Sequence, residues 1–324
     1  MIGNKKVECT TRYKNLWSFT KILFYLREYV LAVDKGLMLF SILWISILVG
    51  FNYQFNIENQ WIAKLDSWIE QWFALYMMYC CAFIIPYLFV ILFRQHLITT
   101  STTFWLLLLI APALFALKVS AANPLENKIE GIWGNYFTAI TTLPFKLLIV
   151  LIPLVVMYKI LPKQQSFWGM TIKGLQWQPY FLMLAAMLPL IIFASTQADF
   201  LNTYPRLKHV AFIEFHTDNP LGYQLLYEIS YGIDFVTIEL FFRGFLVFAF
   251  VRYAGVAAIL PMATFYCSIH FGKPILECIS SFFGGLLLGI IAHKTQSIVG
   301  GLMVHLGIAW MMEVGGYLGN LWSK

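Results

Sequence analysis

The sequence predicts an all-α protein, a polytopic transmembrane helical bundle of about 8–9 spans, and three observations predict it. Hydrophobic residues make up 60% of the 324 and charged residues only 12%, with mean hydropathy +0.72, so the chain cannot coat a soluble globule with polar surface. Apolar runs long enough to cross a ~30 Å hydrocarbon core recur along the chain. None of these runs alternates apolar with polar residues as the strands of a membrane barrel do, so helices satisfy the backbone in lipid.

Residues 1–35 precede any span and carry "KK" with Arg12, Lys14, Lys21 and Arg27, but no short apolar core followed by a small-residue cleavage site. They are expected to be a retained basic arm, its stretch "LWSFTKILFYLREYV" lying amphipathically along the membrane face. Spans are expected near 36–52, 72–94, 102–120, 143–161, 178–197, 225–251, 255–271, 277–293 and 297–315. The first five fall in a segment, 36–200, with no assigned chemistry. The polar loop "NTYPRLKHVAFIEFHTDNP" at 202–220 separates it from a core segment, 201–324. No internal repeat is evident, which argues against an inverted-repeat carrier.

If spans alternate, Arg94, His96, Lys159, Lys163, Lys173, Arg252 and Lys294 share a side with the basic arm. Glu58, Asp66, Glu70, Glu126, Glu130, Asp199, Glu214 and Asp218 lie opposite. The amino terminus is therefore expected in the cytoplasm, in a plasma or inner membrane. The net charge of +6 then reports topology and contact with membrane lipids, and excludes nucleic acid as the expected partner. Five cysteines, mostly within spans, speak against a disulfide framework or a zinc cluster.

Ionisable residues concentrate late in the chain: Glu228, Asp234, Glu239, Arg243, His270, Glu277, His305 and Glu313 lie in or near the last four spans. A charge at the bilayer centre costs several kcal/mol unless it is paired or faces a cavity. Glu239 and Arg243, in "TIELFFRGFL", are i and i+4 and can neutralise each other. His270 ends "FYCSIH" and His305 lies within "GGLMVHLGIAW". A carboxylate with two imidazoles on separate helices is a compact set for activating water, holding an oxyanion or binding a metal. Each group singly also fits a structural role.

The order of "ELFFRGFL", "YCSIH" and "SIVGGLMVH" resembles the CAAX protease and bacteriocin-processing (CPBP) family of intramembrane endopeptidases. That family's pattern is Glu-Glu-x-x-x-Arg, Phe-x-x-x-His and His-x-x-x-Asn on three helices. Glu239, Arg243, His270 and His305 match it over about residues 221–315, whereas Ile238 replaces the first Glu, Ala309 the Asn and Tyr266 the Phe. The resemblance implies a peptidase acting on a peptide or membrane-protein substrate. Either Asp234, one turn before Ile238, or Glu239 would serve as base; His270 would orient the water, His305 would stabilise the oxyanion and Arg243 would hold Glu239. It leaves a divalent metal open, with no cofactor certain, and a CPBP-like scaffold without turnover is the alternative.

Overall fold

A computed structural model of the chain describes residues 18–126, 128–161 and 166–322; Lys163 and the basic residues of the first 17 positions lie outside the described residues. The protein is all-α, with no strand among the described residues. Its helices are α1 (Ser18–Ala32), α2 (Lys35–Phe55), α3 (Trp68–Phe93), α4 (Thr102–Ser120), α5 (Gly131–Ile160) and α6 (Gln178–Ala194), then α7 (Ala198–Thr203) and α8 (Pro220–Glu239). A wide π-helical turn, Leu240–Leu246, continues α8 into α9 (Val247–Ala254), followed by α10 (Ile259–Ser268), α11 (Ile275–Thr295) and α12 (Val299–Trp322).

Each expected span falls on these helices, that at 225–251 running from α8 through the π-helical turn into α9, and the starts follow local chemistry. Asp34 and Ser101 accept the backbone N–H groups of Leu37 and Phe104 at 2.8 and 3.2 Å, satisfying first-turn donors that have no intrahelical partner. On α2, Leu39, Leu43, Ile47, Phe51 and Phe55 form an exposed i, i+4 stripe, while Leu37, Ser41, Ile45, Val49 and Asn52 are buried opposite. A helix apolar on its outer face as well as its inner one has lipid outside it. Among the described residues seven stretches are long and apolar enough to cross a membrane, residues 220–268 counting as one; the protein is an integral, multi-pass membrane protein.

Two helices are shorter than their expected spans. α6 has 17 residues. α10 has ten, about 15 Å of rise, and every one of them is buried. Apolar sequence alone cannot distinguish a short helix wrapped in protein from one crossing lipid, because both avoid polar side chains. Non-helical backbone at such depth is tolerated where protein surrounds it. Here α10 packs against α2, α3 and α11. Its Phe265 meets Tyr79 and Phe83 of α3 at ring separations of 5.2 and 5.4 Å, and Phe115 of α4 meets Phe241 and Phe242 at 5.0 and 5.1 Å. This aromatic core fastens the first helices to the last ones.

Contacts between loops sort them into two ends. At one, Arg94 pairs with Asp34, Thr99 N–H donates to Tyr253 O, Lys294 pairs with Glu28, and Ser297 Oγ donates to Thr171 O. At the other lie residues 52–59, Tyr204, the 269–274 turn and Glu277. There Asn52 links two segments, donating from Nδ2 to Phe271 O at 3.0 Å and accepting Glu58 N–H at 3.1 Å, while Tyr53 O–H donates to Lys273 O at 2.6 Å. The turn that follows α10, and with it His270, is thus clamped by the end of α2.

Glu58 closes over Gly272 in this clamp. Burial pushes its carboxyl up to about 7, against the opposing pull of the Gly272 N–H and the Lys273 ammonium. An acid raised on folding stabilises most below its unfolded value, because above that value the unfolded chain releases its proton first. As pH rises from about 4.5 to about 7, stability should therefore fall, by roughly 1–3 kcal/mol. Glu58→Gln should flatten that dependence, as read from thermal unfolding in bilayer discs at pH 5 and pH 8. Asn52→Ala should raise hydrogen exchange across 269–274 at least tenfold while leaving α9 unchanged.

Candidate active site

The site grows from the end of α8. Glu239 is its last residue, and Arg243 follows in the π-helical turn; their side chains are 0% and 1% exposed. Ions this deep persist only when paired. Arg243 Nη1 lies 3.0 Å from Glu239 Oε1, and His305 Nδ1, from α12, lies 3.0 Å from the same oxygen. Gly301, one turn before His305, makes that approach possible: a Cβ there would stand 3.1 Å from Glu239 Oε2. Glu239 Oε2 itself is buried without a hydrogen-bond partner among the described residues.

These distances assign the imidazole's proton. With a guanidinium alongside, Glu239 is an anion and can only accept, so His305 Nδ1 carries the hydrogen and donates it. In the neutral form of that ring Nε2 is bare, and Tyr266 O–H, 3.1 Å away, is the donor to it. The Tyr266 ring also carries the Arg243 guanidinium, whose carbon sits 3.9 Å from the ring centroid in cation–π geometry. Phe235 meets the His305 ring edge-on at 4.8 Å. On the far side Gly285 of α11 admits the tyrosine, since a Cβ there would come within 2.7 Å of Tyr266 Cδ1.

His270 is held differently. Its Nδ1–H donates to the Tyr266 carbonyl at 2.9 Å, which leaves Nε2 as an acceptor in the neutral ring, and its ring centre lies 4.8 Å from that of Tyr266. Tyr266 thus stands between the two histidines. Glu239, Arg243 and His305 form one contact group, and His270 joins it through Tyr266. Asp234 is engaged elsewhere, its Oδ1 2.6 Å from Lys118 Nζ of α4.

Glu277 and Glu313 have protein partners. Glu277 accepts from Tyr204 O–H at 3.1 Å and faces Lys273 at 3.5 Å. Glu313 accepts the N–H groups of Arg206 and Leu207 at 2.7 and 3.0 Å, capping the 3₁₀ helix Arg206–Phe215. Glu228 is partly buried, and its Oε1 has no hydrogen-bond partner among the described residues. No group of three or more His, Cys, Asp or Glu side chains among the described residues is arranged to hold a metal ion. Glu239 is already shared by a guanidinium and an imidazole, each 3.0 Å from Oε1, so this set does not fit a divalent ion.

Three residues matter more than sequence reasoning allowed. Tyr266 counts as a mild change from Phe in the pattern, yet its hydroxyl is what meets His305. Lys118 is a buried cation in a segment expected to be nearly free of interior charge. Asn52 resembles an ordinary polar residue at a helix end, and its partner is 219 positions away. The hydroxyl of Tyr266 in a pattern that specifies Phe was the signal available; nothing local marks the other two.

Residues 225–311, about a quarter of the chain, match the family described as type II CAAX prenyl endopeptidase Rce1-like. The resemblance to the CPBP family therefore holds over this segment, and all of the contact group lies within it. No curated protein and no solved structure matched the chain.

Removing one member of a buried ion pair strands the other. Arg243→Met should destabilise the protein by about 3–5 kcal/mol. Adding Glu239→Gln should recover much of that loss, because the stranded anion is then gone. Reversible unfolding of the single and double variants in bilayers measures the coupling.

Proposed function

Starting from a chain whose residues 225–311 are a CAAX-protease-type segment, we propose that it is an intramembrane endopeptidase that hydrolyses a peptide bond of a membrane-attached substrate. The observation that carries this reading is the 3.0 Å contact between His305 Nδ1 and the fully buried Glu239. A carboxylate that fixes the tautomer of an imidazole leaves the opposite nitrogen basic and oriented, the arrangement general-base catalysis requires.

Water at His305 Nε2 gives its proton to that atom and attacks the scissile carbonyl carbon. Glu239 stabilises the imidazolium that results, and Arg243 pairs with the same carboxylate oxygen at 3.0 Å. His270, with Nε2 as acceptor, orients the water's second hydrogen. His305 then returns its proton to the leaving amine. Asp234 has no part in this sequence because its salt bridge with Lys118 occupies it. The basic end of the bundle faces the cytoplasm, in keeping with the positive-inside rule, and the substrate is a peptide tail held at the membrane, lipid modification being the class that the matching family's description names.

Purified protein in bilayer discs, offered a quenched library of membrane-anchored peptides, should cleave. His305→Ala and Glu239→Gln should each lower kcat by about 10²–10⁴. Asp234→Asn should retain at least a third of wild-type kcat. Equal cleavage by wild type and His305→Ala would overturn the reading.

A further inference from the structure

We propose that Tyr266 is a catalytic residue whose hydroxyl donates a hydrogen bond to the oxyanion of the attacked carbonyl; the inference rests on the peptidase reading above. Its O–H points at His305 Nε2, 3.1 Å away, the atom that takes the proton from water. When water occupies Nε2, that hydroxyl must find another acceptor in surroundings where Tyr266 is only 4% exposed. A buried donor is not left unpaired without cost. The acceptor created in the same step is the carbonyl oxygen.

The surroundings suit that role. Arg243 over the ring face, 3.9 Å from its centre, draws electron density from the phenol and strengthens it as a donor. Phe242, edge-on at 5.1 Å, and the bare face of Gly285 fix the ring, so little reorganisation accompanies the reaction. The sequence agrees: this chain lacks the amide that the motif places one turn after His305, where it has Ala309, and gains a hydroxyl where the motif has Phe.

The step balances without a redox partner. A C–O bond forms as the water O–H breaks, its proton going to His305 Nε2. The carbonyl π pair moves to oxygen, which accepts from Tyr266 O–H. Collapse of the adduct breaks the C–N bond, and the proton on His305 passes to the amine.

Tyr266→Phe keeps the ring, its packing and the cation–π contact, and removes one oxygen. It should lower kcat by about 10²–10³ with KM unchanged, as removal of an oxyanion donor does. A peptide phosphonate that mimics the tetrahedral adduct should bind it more weakly by a similar factor, while the melting temperature stays within a few degrees of wild type. Cleavage by wild type with undiminished kcat in Tyr266→Phe would overturn this inference and leave the peptidase reading standing. A fall in kcat without weaker phosphonate binding would also overturn it. Absence of cleavage by wild type would remove the peptidase reading, and this proposal with it.

Discussion

The arrangement depends on one carboxylate oxygen. Glu239 Oε1 is approached at 3.0 Å by a guanidinium from its own helix and by an imidazole from another, in an interior where Glu239 is wholly buried. Neither contact suffices alone. The arginine makes the anion tolerable at that depth, and the anion decides which nitrogen of His305 carries its hydrogen. Remove the arginine and the buried carboxylate is left without its cation; remove the acid and the imidazole loses its orientation. The ion pair is thereby a structural fastening and the origin of the base.

The helices before the core contribute at identifiable points. Asn52, Tyr53 and Glu58 clamp the turn that carries His270. Lys118 neutralises Asp234, the one acid on α8 that precedes Glu239 by little more than a turn. Phe115 of α4 packs against Phe241 and Phe242 of the π-helical turn, and Phe83 of α3 against Phe250 of α9. These are long-range contacts made by residues that carry no chemistry of their own. They bring α10, too short to span a bilayer, to the level of α8 and α12.

Much of the fold was legible because lipid imposes a simple rule on sequence: long apolar runs become helices, and α2, α3, α4 and α11 begin and end within a few residues of their runs. α10 was not legible as a short helix, since a segment buried in protein is as apolar as one facing lipid. In the site, Glu239, Arg243 and His305 were legible because ionisable residues stand out against an apolar background. The salt bridge of Asp234 was not, because Lys118 follows a long apolar run and is indistinguishable there from an ordinary interfacial lysine. Tyr266 was hidden by a pattern that treats an aromatic ring as packing, when the difference from phenylalanine is the oxygen that reaches His305.

The role of Glu239 in fixing His305 is decided by where that ring carries its hydrogen. Nitrogen-15 NMR of histidine-labelled protein in bilayers at neutral pH, with His305 assigned by comparison with a His305→Gln sample, distinguishes its tautomers. A neutral ring with hydrogen on Nδ1 and an unprotonated, hydrogen-bonded Nε2 is the expected result. A ring protonated on both nitrogens, or on Nε2 alone, would contradict it.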